Sequence, residues 1–336
     1  MVTYRGYKTS VQYATETSYG TGGTPSTAIE GKIQTLTINN TNNLIRTTGL
    51  GEGRNETFVG WGNFECSWSM EIELASFNFL QYAIGPRGGS GTAVAPYYLE
   101  EADFRGYTGT TLASFIMEVA GLDVSAGTHN VDTLSGCVIN SVGLQLNIGQ
   151  TLKCSLEGFA KKVTSGTSAT AYTPDTTKPW IFSQGVFKWN ASTVARVTGA
   201  TINISNNYDP ELGRELGSRF PSEMEPGLRK YDWTITVKMT SAVATTLRDD
   251  FYGTANTPSD GIASAEPTFR NIILNLSEGV TSGLRNAQIL LSNCAINDIS
   301  KPINIGDGIV ELTINGTAKN GTLDTVNKPI KWWTVP

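Results

Sequence analysis

Histidine is nearly missing from this 336-residue chain, which has one, and cysteine is scarce, at four. A Ser-His-Asp or Cys-His centre would have to use His129. Its surroundings, Gly127-Thr128-His129-Asn130, read as an exposed turn with no activated nucleophile beside it. One histidine and no Cys-x-x-Cys pair leave no ligand set for zinc. The expectation is a chain without catalytic residues, metal or cofactor. Long apolar runs are missing too. None approaches the roughly 18 residues of a membrane span, and Met1-Val2-Thr3-Tyr4-Arg5 lacks the apolar stretch of a secretory leader. That reads as synthesis in a cytoplasm, with no membrane binding by the chain alone. Thiols stay reduced there, and Cys137 and Cys294, inside apolar strand-like runs, read as buried thiols. Charge is sparse, at 16% of residues and net −5. With no dense basic run, a surface built to grip phosphate is excluded.

What the chain does have is glycine, 36 residues, with abundant Thr, Ser and Asn, the composition of a turn-rich β-protein. It also says nearly the same thing twice. Leu134-Ser135-Gly136-Cys137-Val138-Ile139-Asn140 returns 157 positions later as Leu291-Ser292-Asn293-Cys294-Ala295-Ile296-Asn297, and Asn147-Ile148-Gly149 returns at the same shift as Asn304-Ile305-Gly306. Gly158-Phe159-Ala160-Lys161 is echoed by Gly316-Thr317-Ala318-Lys319. Ile33–Asn39 is echoed by Val197–Asn203, each followed by an Asn-Asn pair. Trp68–Leu74 is echoed by Trp233–Met239, 165 positions on. Matched blocks in one order at nearly constant separation indicate a duplicated domain of roughly 160 residues, far longer than solenoid or propeller units. The expected organisation is a first copy over 1–165, a linker or exposed excursion over 166–179, and a second copy over 180–336. Each copy is large enough to bury its own core.

Both copies predict the same elements. A Thr- and Ile-rich strand (about 32–40 and 196–205) leads into a long polar loop (about 44–63 and 208–230). Next comes the clearest alternation in the chain. Trp68, Met70, Ile72 and Leu74 are apolar at every second position, as are Trp233, Ile235, Val237 and Met239. Period two with one apolar face means one packed side and one wet side. A short helix is predicted from Ser76 to Ile84 and from Ala242 to Tyr252, each stopped by a glycine. Further strands are predicted near 112–120, 134–148, 151–160, 269–276, 286–299 and 308–318. The fold class is α+β, mainly β, with the helix laid on an antiparallel sheet.

Several apparent motifs dissolve on inspection. Gly49-Leu50-Gly51-Glu52-Gly53-Arg54 resembles a phosphate loop but lacks the Gly-Lys-Ser/Thr signature, and reads as a surface loop. Glu71 and Glu73 lie two apart on an alternating strand, so a solvated face accounts for them without glycosidase chemistry. The long loops differ in kind. Between Tyr208 and Lys230 nine of 23 residues are charged, with both signs interleaved. Two loops of this length at one repeat position favour a role in docking on a neighbour.

The opening Gln12-Tyr13-Ala14-Thr15-Glu16-Thr17-Ser18-Tyr19-Gly20-Thr21 is similar to the start of many tailed-virus tail proteins, where Glu precedes a small residue, an aromatic and Gly-Thr. The order of strand, long loop, strand, short helix and sheet resembles the tail tube fold of phage major tail proteins. So does the ending, a Cys/Ile/Asn strand followed by Asn-Ile-Gly and a Gly-x-Ala-Lys strand. The resemblance implies two similar tail-tube-like antiparallel β-sandwich or barrel domains. It also implies a structural virion protein that self-assembles into stacked rings, the tail tube through which DNA is ejected. DNA would pass transiently and non-specifically, and partners would be other tail proteins (tape measure, terminator, baseplate). The lumen-facing candidates are Ser69, Glu71, Glu73, Thr234, Thr236 and Lys238. The inter-ring candidates are Arg46, Glu52, Arg54 and Glu56 in the first loop. In the second they are Asp209, Glu211, Arg214, Glu215, Arg219, Glu223, Glu225, Arg229 and Lys230. Six tube domains to a ring and two to a chain imply homotrimeric rings; the competing arrangement is six chains with one copy in the wall. Two other readings stay open. One is a baseplate hub or injection-machine inner tube component. The other is a glycan-binding, adhesin-like β-protein, which would need an exposed aromatic cluster drawn from Trp61, Trp332 and Trp333.

Overall fold

The computed structural model describes residues 4–50, 55–99, 112–123, 129–239, 247, 250–251, 269–301, 310–318 and 330–335. The first part of the chain forms β1 (Tyr4–Thr15), β2 (Thr27–Ala28), β3 (Gly31–Thr47), β4 (Phe58–Leu74), α1 (Gln81–Ile84), β5 (Arg87–Gly88), β6 (Tyr97–Leu99), β7 (Phe115–Asp123), β8 (His129–Asn147), β9 (Lys153–Ala160) and β10 (Lys162–Gly166). The second part forms β11 (Gly185–Trp189), β12 (Ser192–Thr193), β13 (Val197–Ser205), β14 (Lys230–Lys238), β15 (Arg270–Ser277), β16 (Arg285–Ser300), β17 (Glu311–Ala318) and β18 (Ile330–Thr334).

Eight strands make one antiparallel sheet in the order β3-β4-β9-β8-β13-β14-β17-β16. Its middle pair, β8 with β13, joins the two parts of the chain, Asn147 lying opposite Gly199 and Ser141 opposite Ser205. The apolar face of this sheet is covered by two smaller layers. β1, β7, β8 and β10 form one; β11, β15, β16 and β18 form the other, extended by β6 and β5 from the first part. β8 and β16 each run from the eight-stranded sheet into one of these layers. Each leaves its outer layer where the backbone turns through positive φ, at Gly136 (φ 66) and at Asn293 (φ 53), two residue types that tolerate that region.

The parallel between the halves extends to irregularities. Register breaks fall at Ile33/Thr35 and Val197/Gly199, at Phe115/Met117 and Arg270/Ile272, and at Ile139/Ser141 and Ile296/Asp298. Trp68 lies opposite Gly158, and Trp233 opposite Gly316. Each tryptophan covers the bare backbone of its glycine: a Cβ on Gly158 would sit 2.5 Å from the Trp68 ring and 2.1 Å from the Val138 carbonyl. On Gly316 it would meet Trp233 and the Ala295 carbonyl at 2.2 Å. The Cys137 and Cys294 thiols each reach back 3.5 Å to the carbonyl of the residue three earlier. All four cysteines are free and buried, and burial pushes the Cys66 and Cys294 thiols up to about 12, far from the reactive thiolate.

Several local expectations are revised. Half of the loop expected over 44–63 is strand, because β3 runs to Thr47 and β4 starts at Phe58. A ribbon exposed on both faces has no packed side, so its sequence carries no alternation to read. The helix expected over 76–84 shortens to a 3-10 turn (Asn78–Leu80) and the single turn of α1, ending at Gly85. Of the helix expected over 242–252, only Leu247, Asp250 and Phe251 lie within the described residues, all helical. His129 opens β8 opposite Leu122 and is half-buried, not an exposed turn residue. Along 166–179, where most side chains are exposed, two points are held: Thr170 donates from its amide and hydroxyl to Glu118, both at 2.9 Å, and Asp175 accepts from the Gly31 amide at 2.9 Å. The Glu16 of the opening motif, 8% exposed, accepts from the Gly136 and Gly20 amides and the Ser114 hydroxyl.

The tryptophan–glycine contacts predict that Gly158→Ala and Gly316→Ala each destabilise the subunit by about 1–3 kcal/mol through overpacking. Gly166→Ala, with nothing within 4 Å, is expected to leave stability unchanged. Urea titration of the three variants checks the ranking.

Candidate assembly surfaces

Alternation along the eight-stranded sheet sends its apolar side chains to the covered face and its polar ones to the other. Trp68, Met70, Ile72 and Leu74 are buried, as are Trp233, Ile235 and Val237. The six lumen candidates, Ser69, Glu71, Glu73, Thr234, Thr236 and Lys238, all stand on the uncovered face. The same face continues without a break across the β8–β13 junction through Gln145, Thr201, Asn203 and Ser205. Hydroxyl and amide groups dominate it, for example the Thr234 hydroxyl donating to Asn315 at 2.8 Å. Its carboxylates are Glu71, Glu73, Glu157, Asp232, Asp298 and Glu311; its cations are Lys32, Lys153, Lys230 and Lys238. Lys153 pairs with Glu71 at 2.8 Å, which raises the lysine's pKa through that hydrogen bond and charge. The balance is mildly negative, so the face offers phosphate no cationic cluster.

The sheet ends in two unequal ways inside the chain. At its centre the junction is stapled by Asn206, which is fully buried. Its amide group donates to Ala83 O and Ile139 O, both at 2.9 Å, while its backbone N–H donates to Asn140 O at 2.8 Å. Arg229 closes the staple, donating to Asn206 Oδ1 at 2.8 Å and to the Ile84 and Ala83 carbonyls at 3.0 Å. Those carbonyls belong to the C-terminal end of α1, where a cation is favoured. At the two margins, by contrast, the outer edges of β3 and of β16 beyond Cys294 pair with no strand among the described residues. Open edges of this length are templates for another strand.

The charged loop behaves differently from its sequence. Its arginines turn inward: Arg214, Arg219 and Arg229 give their donors to backbone carbonyls of other segments. Arg214 also pairs with Glu211 at 2.9 Å and with Glu65 at 3.5 Å. Asp209, Glu211, Glu215, Glu223, Glu225 and Lys230 stay exposed, so the loop shows solvent a largely acidic surface with Leu212, Leu216 and Leu228 uncovered beside it. In the first loop, Arg46 and Glu56 pair at 3.6 Å near the hairpin tip; Glu52 and Arg54 lie outside the described residues. The aromatic residues that a glycan site would need stand on separate elements, Trp61 on the hairpin and Trp332 buried on β18.

A protein-family model described as phage tail tube protein matches residues 6–318. No curated protein matches the chain.

The staple predicts an asymmetry between equivalent asparagines. Asn206→Ala removes the two buried amide hydrogen bonds to Ala83 O and Ile139 O and the acceptor of Arg229 Nε, and is expected to cost about 3 kcal/mol. Asn42→Ala, at the matching position on the exposed β3 ribbon, is expected to change monomer stability by less than about 0.5 kcal/mol. Denaturant titration of the isolated subunit compares the two.

Proposed function

Because the chain belongs to the phage tail tube protein family, as a structural, non-enzymatic component of the virion tail, we propose that three copies close each ring of the tube. Each chain brings two copies of one tube domain, over 1–165 and 180–336, joined through 166–179. The observation that carries this is the β8–β13 junction, a contact between the two domains that already exists once inside every chain. Both halves place four strands in one sheet, which supports a wall made of both rather than six chains with one half decorating the outside. The open edge of β16 then meets the open edge of β3 on the next chain, a head-to-tail contact that closes after three.

The junction supplies a register for that contact. Ser141 lies opposite Ser205, and Gly143 opposite Asn203. Carried over by the shared pairing pattern, Asp298 comes to lie opposite Thr41 of the next chain, and Ser300 opposite its Asn39. The uncovered face of the sheet then becomes the lumen, lined by Ser69, Glu71, Glu73, Thr234, Thr236 and Lys238. A polar, mildly negative wall lets DNA slide past without holding it. The hairpin of the first domain reaches the neighbouring ring. Tape-measure, terminator and baseplate proteins are the partners at the lumen and the two ends.

Cysteines at Thr41 and Asp298 test the register. The double variant is expected to form interchain disulfides that trap trimers on a non-reducing gel, whereas Thr41→Cys with Ser300→Cys, a diagonal pair, is not. Cryo-microscopy of the assembled tube is expected to show threefold symmetry; six chains per ring would refute the proposal.

A further inference from the structure

β9 accompanies β4 only as far as Ala160, opposite Cys66. Beyond that point β3 and β4 continue alone as a two-stranded ribbon to Thr47 and Phe58. Such a ribbon is marginal by itself in water, and this one exposes Leu44, Ile45, Phe58, Val59 and Trp61. The segment 208–230, which occupies the corresponding place between β13 and β14, takes over at the point where β9 stops. The Phe64 amide donates to the Arg219 carbonyl at 3.0 Å, and Arg219 Nε donates to the Gly62 carbonyl at 2.9 Å. Arg219 Nη2 crosses the ribbon to Asn42 on β3 at 2.6 Å, and its guanidinium lies 5.2 Å from the centre of the Trp61 ring. Arg214, only 10% exposed, donates to the Phe64 and Arg219 carbonyls, and Phe220 packs on Phe64 with ring centres 5.5 Å apart. Both strands of the ribbon are therefore gripped at its exit from the sheet.

We infer that 208–230 is a clasp rather than a second arm, and that Arg219 and Arg214 are positioning residues that aim the 42–64 hairpin. The inference rests on the assembly reading above and deepens it. The same position in the two halves has divided its work, one half presenting the arm and the other holding it. Each chain then offers one aimed arm to the next ring, and a ring of three offers three. A planar fork suits this task, because in Arg219 it satisfies a carbonyl on one strand, a side-chain amide on the other and an aromatic face at once. Lysine supplies the charge without the fork.

The test separates ring closure from ring stacking. Arg219→Ala and Arg219→Lys are made in the full chain, and Trp61 exposure is followed by acrylamide quenching in the unassembled subunit. Rings are counted by mass measurement and tube lengths by negative-stain microscopy. Arg219→Ala is expected to form threefold rings in wild-type yield, to elongate at least tenfold more slowly, and to quench faster; Arg219→Lys is expected to fall between. Should Arg219→Ala melt the subunit, Phe220→Ala loosens the clasp without touching a charge and is expected to slow elongation in the same way. Wild-type elongation by Arg219→Ala, or by Phe220→Ala where the alanine variant does not fold, would overturn the clasp. Wild-type chains that form no threefold rings would instead overturn the assembly reading on which it rests.

Discussion

Seven residue pairs zip β8 onto β13, and they turn two four-stranded sheets into one of eight. Backbone hydrogen bonds at a sheet margin are not selective by themselves; any strand of suitable twist can pair there. What makes this margin specific is the buried Asn206–Arg229 staple, which spends side-chain donors on carbonyls from α1 and β8. An unpaired carbonyl at this depth would be costly, so the staple admits one register. The continuous uncovered face, the placement of α1 and the position of the 208–230 segment beside the hairpin all follow from that one alignment.

The two halves share a skeleton and differ in what fills it. Each keeps a tryptophan over a glycine, a cysteine whose thiol bonds three residues back, and the same three register breaks. Around them the packing departs. In the first half Phe115 packs edge-on against Trp68 and Phe79 and at a tilt against Tyr82. The equivalent position in the second half is Arg270, which pairs with Asp250 at 2.7 Å, while Trp189 donates to the same carboxylate. Backbone features tolerate little variation because strands must still meet, whereas core volume can be refilled in many ways. The weak side-chain likeness between the halves is the expected residue of that difference.

Charge is distributed by the same economy. Many carboxylates stand at the surface, on the uncovered sheet face and along 208–230, where water solvates them, whereas Glu16 and Glu118 are buried among amide and hydroxyl donors. Arginines go inward wherever a segment lacking regular structure must be fastened to a strand or a helix end. Arg285 shows the pattern once more, reaching the Ala75 carbonyl at 3.0 Å and the Lys178 carbonyl at 2.8 Å while pairing with Glu278, whose carboxyl it holds below its ordinary range. A chain with few charges thus uses several of its arginines as fasteners.

From residues alone, period-two alternation located β4 and β14, and the repeated Leu-Ser-x-Cys and Gly-x-Ala-Lys blocks placed their strands in the same order in both halves. Those features are local: a strand with one packed face must alternate, whatever it later meets. A single histidine, and the lack of Cys-x-x-Cys pairs and dense basic runs, argue against catalysis and nucleic-acid grip on composition alone. Three things were decided only in the tertiary structure. The hairpin over 42–64 could not be read as strand because neither of its faces is packed, so no periodicity marks it. The inward turn of Arg214, Arg219 and Arg229 depends on carbonyls supplied from residues 62–84, more than a hundred positions away. The union of the two sheets depends on backbone pairing, which any polar β-strand can offer and which leaves no side-chain signature; only the folded chain brings the edge of β8 to the edge of β13.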